Sequence, residues 1–304
     1  MCRATILLLT WSIFGLTTAT PCLAMTPLRW EFRVGDRFHL TFTQQTDIAT
    51  SYNDQKSCLA LALITEMDWH VEELSDSGEA RIAQTFTRFL SRIRPDEQDA
   101  VEYDSDSPVL QDDAAIQTTK QLQSLLRAQF TVTMDSRGQI LDVSMSEETK
   151  KIVSQASLQP RWKRLLTTDG IREFFKHSLI VLPNKPVSDG DAWETRTPVK
   201  TPFGNGQLIN NYRCHGETES DEKELIRITL STDLQLPDGG PPTPISLKSR
   251  EQTGTLFFNR RTGNFERSEL SRRVVSESES EGTTINVVEE TRLKLAIARV
   301  EKRP

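Results

Sequence analysis

Alternation of apolar and polar positions runs through most of this chain. Phe38, Leu40 and Phe42 alternate with His39, Thr41 and Thr43, the period-two signature of a strand with one buried face. Asn53-Asp54 marks a turn, and CLALALITEMDWHVEEL follows as a second strand. The polar run Ser75 to Gly78 then turns the chain into a third, EARIAQTFTRFLSRI. Phe130, Val132 and Met134 alternate up to Gly138, and Leu141, Val143 and Met145 resume beyond it, which predicts a hairpin. Beyond residue 190 the pattern is almost purely that of strands. QLINNYRCHGETES makes one strand, and Ile226, Ile228, Leu230, Leu234 and Leu236 mark another. A long hairpin turns at Gly263, and a turn at Gly282 leads into INVVEETRLKLAIARV.

Helical spacing interrupts this pattern in the middle of the chain. Thr119, Leu122, Leu125 and Leu126 predict a short helix over 115–129. Ser144 and Glu147 form a capping-box pair that predicts a helix over 146–157. Pro160 suits the first turn of another, carrying Trp162, Leu165 and Leu166. Asp169 is the expected cap of a third, whose stripe is Ile171, Phe174, Phe175 and Leu179. Pro183 and Pro186 end it and lead into LPNKPVSDGDAWE, where Gly190-Asp191 is followed by Trp193. The same arrangement, Gly35-Asp36 followed by Phe38, stands near the start of the first strand. Order is repeated as well: Gly-Asp, a strand with a cysteine, then a Gly-turn hairpin.

The expected class is therefore α+β and mostly antiparallel β. The expected architecture is a long-stranded curved sheet or half-barrel, built from two related halves with a helical insert packed on one face. The boundaries are 1–24 for a signal peptide, 25–145 for the first β half with its acidic loop and short helix, 146–182 for the insert, and 183–304 for the second half. The halves are expected to form one continuous domain.

Composition narrows the class. Arg3, the apolar run ILLLTWSIFGL and a Cys-Leu-Ala end at Ala24 read as a secretory signal, too short for a spanning helix. Cys22 leaves a lipoprotein signal open, but Pro21 stands where such signals carry a small residue. No later segment is apolar enough to span a membrane, so export to the periplasm or beyond is expected. A formal charge of −6, with no clustered lysines and arginines, argues against nucleic acid as a partner. Cys58 and Cys214 are the cysteines beyond the signal, and they read either as a disulfide or as two separate thiols. Asp96 to Asp113 gathers carboxylates without a lysine or arginine. It lacks the glycine turn and closing glutamate of a calcium loop, and reads as a solvated loop around a short strand.

Catalytic chemistry finds no pattern to stand on. The four histidines are isolated, and Cys214-His215, adjacent in a strand, would point to opposite faces. No cofactor, metal or catalytic residue is expected, and the chain reads as a non-enzyme. Asp36 and Asp191 are expected to accept backbone N–H bonds in their turns, and Trp30 and Trp193 to anchor their sheets.

Gly35-Asp36-x-Phe38, Tyr103-Asp104-Ser105, the Phe130 to Gly138 hairpin and LPNKPVSDGDAW occur in an order that resembles a family of uncharacterised exported bacterial proteins, a domain of unknown function. That resemblance implies export and architecture and assigns no activity. At fold level the expected architecture is similar to the half-barrels of LolA-type periplasmic carriers. Function is accordingly expected to be binding of a lipid or other apolar ligand between sheet and helices, lined by Trp162, Leu165, Phe174, Phe175 and Leu179. The alternative is a cell-envelope interaction or scaffold protein working through its sheet edges and acidic face.

Overall fold

The structure is a computed structural model that describes residues 27–53, 55–96, 98–107, 125–126, 128–155, 167–172, 180–218, 225–237, 245–280 and 282–300. Twelve strands form one open sheet in which every pairing is antiparallel. They are β1 (Arg37–Tyr52), β2 (Gln55–Leu74), β3 (Ala80–Pro95), β4 (Val101–Asp104), β5 (Gln129–Met134), β6 (Ile140–Met145), β7 (Ala192–Thr201), β8 (Gly204–Glu217), β9 (Leu225–Gln235), β10 (Ile245–Asn259), β11 (Asn264–Ser280) and β12 (Thr283–Arg299). The spatial order is β6-β5-β3-β2-β1-β12-β11-β10-β9-β8-β7, with β4 beside β3. Most strands pair with a sequence neighbour, but β5 pairs with β3 rather than β4, and β6 and β7 stand at opposite edges. At the centre β1 pairs with β12 along their whole length, from Phe38↔Arg299 to Tyr52↔Ile285.

Alternation puts the most deeply buried apolar residues of the central strands on one face. Phe38, Leu40 and Phe42 share it with Trp69 and Met67 of β2, Ile297 of β12, Leu256 of β10 and Ile228 of β9. Burial of each large side chain there is worth roughly 1.5–3 kcal/mol.

The segment preceding β1 folds across this face as a strap. Trp30 is 3% exposed, stacks on Phe32 at 5.3 Å and meets Phe265 edge-on at 5.6 Å. Its backbone N–H bonds Ser136 in the β5–β6 turn, while that of Glu31 bonds Gly263 in the β10–β11 turn. These turns belong to strands five places apart in the sheet, about 24 Å if it were flat at ~4.8 Å per strand. Two consecutive residues cannot span that distance. The sheet is therefore curled at this end, and its buried face is the concave one.

Both Gly-Asp turns are built alike. Asp36 Oδ2 accepts the N–H of Arg33, and Asp191 Oδ2 accepts that of Ser188. Gly35 and Gly190 have φ of 87° and 85°, a conformation that glycine adopts without a Cβ penalty. The glycine N–H then reaches the adjacent strand, at Val71 O in the first turn and Cys214 O in the second. As expected, each aspartate is a turn acceptor that launches a strand.

The described helical residues are fewer than the sequence predicts. Helix α1 (Glu147–Gln155) opens at Ser146, whose Oγ accepts the N–H of Thr149. Ser144, the expected cap, instead pairs with Thr131 inside the β5–β6 hairpin, because the strand runs one pleat further than the capping pattern suggests. A helical turn at 168–172 opens at Thr167, whose Oγ1 accepts from Gly170, so Asp169 is free to pair with Arg172. Apart from 125–126 and 128, the helix expected at 115–129 and most of the insert 146–182 lie outside the described residues.

Candidate functional site

Across the concave face, above the packed base, runs a belt of polar side chains. Gln44 Nε2 donates to Thr46 Oγ1 on β1, and Thr46 Oγ1 lies 3.1 Å from Thr291 Oγ1 on β12. Thr291 in turn donates to Glu289, which also takes Arg272 of β11. On β10, Arg250 donates to Gln252 Oε1 at 2.6 Å and to Thr232 O of β9 at 3.3 Å. Thr232 then donates to Asn210 of β8 at 2.8 Å. The belt crosses six consecutive strands, and Thr46, Thr232 and Thr291 are almost wholly buried in it. Buried hydroxyls on an otherwise apolar face are stable because each finds a partner along the row.

The belt holds two guanidinium groups and one carboxylate. Gln252 sits directly opposite Arg272 and Arg250 opposite Val274, so the two arginines are diagonal neighbours on one face. Arg272 is neutralised by Glu289, whereas no carboxylate among the described residues lies within ion-pair distance of Arg250. Burial, followed by the charge of Arg272, lowers the Arg250 pKa to about 10; Asp233 opposes this from a distance. Arg272 Nε is buried and makes no hydrogen bond.

Beyond the belt the concave face turns apolar again, with Ile48, Leu61, Ile93, Leu247, Val274 and Val287. All six stay partly exposed, unlike their counterparts in the base. The opposite face at this end carries Asp47, Arg94, Asp96 and Glu290 around a cleft of about 290 Å³. A crevice of about 10 Å³ lies on the concave face beside Ile180 and Leu295, too small in itself for a ligand.

The remaining singled-out groups are structural. Tyr103 is buried, Asp104 takes Arg88 at 2.7 Å, and Ser105 Oγ accepts the N–H of Phe89, so the Tyr-Asp-Ser stretch fastens β4 to β3. The Arg88 hydrogen bond holds the Asp104 carboxyl below its ordinary range. His39 pairs with Asp68 on the outer face, and His215 bonds Thr229 while Cys214 points into the core. Among the described residues no cluster of metal-ligating side chains occurs. Trp193 stacks on Tyr212 at 5.1 Å and donates to Val181 O, as an anchor does.

Cys58 and Cys214 are both free thiols, on β2 and β8, with five strands between them in the sheet. Cys58 is exposed, whereas Cys214 is buried and burial raises its pKa. A maleimide should label Cys58 in the native protein within minutes and Cys214 only on unfolding. Equal labelling rates, followed by peptide mapping, would contradict this placement. Trp162, Leu165, Phe174, Phe175 and Leu179, the lining expected from the sequence, lie outside the described residues. Sequence reasoning missed the belt. Its signal is parity: Arg250, Gln252, Arg272 and Thr291 occupy the same alternation phase as the core residues of their own strands.

The class these features define is a single-sheet antiparallel β protein whose concave face is divided by a polar belt. Within that class, the chain belongs to a family of unknown function (DUF6263), whose profile matches residues 77–263. No curated protein matches it. Among solved structures it is similar in fold to lipovitellin, in a structure titled for its lipid–protein interactions. The TM-score is 0.52 at 13% identity, over 90% of this chain and 26% of that one. The chain thus spans about a quarter of the lipovitellin chain. Two further matches are the translocator domain of the autotransporter NalP from Neisseria meningitidis and a DUF1329 family protein from Desulfovibrio piger. They are 9% and 8% identical, covering 86% and 87% of this chain and 89% and 87% of theirs. Their TM-scores are 0.21 and 0.14.

Proposed function

We propose that this protein is an exported, non-enzymatic module that binds a lipid or another apolar ligand on the concave face of its sheet. The observation that carries the reading is the apolar strip beyond the belt. A one-sided antiparallel sheet normally packs its apolar face fully, and here Ile48, Leu61, Val274 and Val287 stay partly open. The likeness in fold to lipovitellin, a protein with described lipid interactions, supports the same direction. In this reading the insert 146–182 completes the lining, and residues 1–24 direct the chain to the periplasm or beyond. The matched Gly-Asp turns support two related halves within one domain.

A scaffold working through its sheet edges fits less well. Edge strand β7 carries Pro198 and the Glu194–Arg196 ion pair, and edge strand β6 is only six residues long. Such edges resist strand addition. Native mass spectrometry of protein purified from the compartment where it accumulates tests the proposal. The expected spectrum shows residues 25–304 with a lipid-sized adduct that organic extraction removes and added lipid restores. A chain that stays bare after incubation with mixed lipids overturns it.

A further inference from the structure

We infer that Arg250, with Arg272 beside it, is a receptor for the anionic headgroup of a single-chain amphiphile whose apolar tail lies along Leu247, Val274, Val287 and Ile48. The inference rests on the proposed apolar binding and adds to it the chemistry of the headgroup. A guanidinium set among apolar side chains, without a carboxylate to neutralise it, is held at a cost in solvation. Among the described residues Arg250 has only neutral acceptors, the Thr232 carbonyl and the Gln252 amide. Its five donors are not exhausted by two hydrogen bonds, and Arg272 Nε has none. The two groups are diagonal neighbours on adjacent strands, and a carboxylate or phosphate accepts from several such donors at once. Glu289 neutralises one of the two charges and leaves one, which matches a headgroup of net negative charge. The geometry also orders the ligand. Toward the base Leu230, Leu256 and Ile297 fill the face, so the tail runs from the belt toward the open end, where apolar side chains remain accessible.

The probes are three ligands with one oleoyl chain and different heads: oleate, 1-oleoyl lysophosphatidate and the uncharged monoolein. Affinities are measured by native mass spectrometry and by competition with a fluorescent fatty acid, on the full exported chain. The wild type is expected to prefer at least one anion over monoolein by about tenfold or more, the range of a charge-assisted hydrogen bond. Oleate alone or lysophosphatidate alone showing that preference names carboxylate or phosphate as the headgroup. In Arg250→Gln the preference should fall to within about threefold while monoolein binds as before, and Arg250→Lys should restore part of it. Glu289→Gln, which frees Arg272, should raise the preference. An anion preference that survives in Arg250→Gln overturns the inference. Equal binding of all three ligands by the wild type also overturns it, while leaving apolar binding intact. Failure of all three to bind overturns both.

Discussion

Trp30→Ala should lower the unfolding free energy by about 3–5 kcal/mol, the range for truncating a buried large aromatic. The packing around the ring explains a value at the upper end. Phe32 stacks on one side, Phe265 meets it edge-on, and Trp69 closes the pocket at 6.4 Å. These partners come from the strap, β11 and β2, so no single segment can collapse into the void. The same strap carries the backbone bonds to Ser136 and Gly263 that hold the curled end together. Urea unfolding followed by far-UV circular dichroism measures the effect. A loss below about 1.5 kcal/mol would mean the strap is not what holds that end closed.

Gly138→Ala is the second large effect, at about 2–4 kcal/mol. Gly138 has φ of 87°, where any Cβ is strained, and a Cβ there would stand 2.7 Å from Ile180 O and 3.0 Å from Trp30 Nε1. The first neighbour is backbone and the second a buried ring, so neither can give way cheaply. Gly78 supplies the control, with φ of 82° and nothing within 4 Å of its Cβ position. Gly78→Ala should therefore cost only about 1 kcal/mol, the backbone penalty alone. The difference between the two midpoints in urea isolates the contact. Equal costs would show that the segment through Ile180 and Leu182 does not press on the turn.

Local pattern explains why much of the fold could be read from the residues. The turns at Asn53, Gly78, Gly138, Gly263 and Gly282 all fall where polar runs interrupt alternation, and each has φ above zero. The turn role of the two aspartates was readable for the same reason, since a carboxylate beside glycine has a nearby backbone N–H to accept. Strand order was not readable. Nothing in Phe38-Leu40-Phe42 identifies Leu295 and Ile297 as partners some 250 positions away, because alternation specifies a face and not a neighbour. Ser144 and Glu147 carry the capping spacing in the sequence, and only the length of β6 moves the cap to Ser146. The belt is not legible in the sequence, because polar residues in a strand read as solvent-facing until the phase of each strand is fixed across the sheet. Arg250 and Arg272 are inward residues that look outward in the sequence.

The pairing of β1 with β12 also sets the order of events in folding. Through synthesis of nearly the whole chain, the long strand β1 has β2 on one side and an open row of backbone donors and acceptors on the other. Its partner is the last of the sheet's described strands in the sequence, so closing the sheet is among the slowest contacts the topology allows. Until β12 is free to pair, the sheet remains incompletely closed around β1. The exposed flank of β1 is then the point at which a holding chaperone, or another unfinished copy, would first take hold.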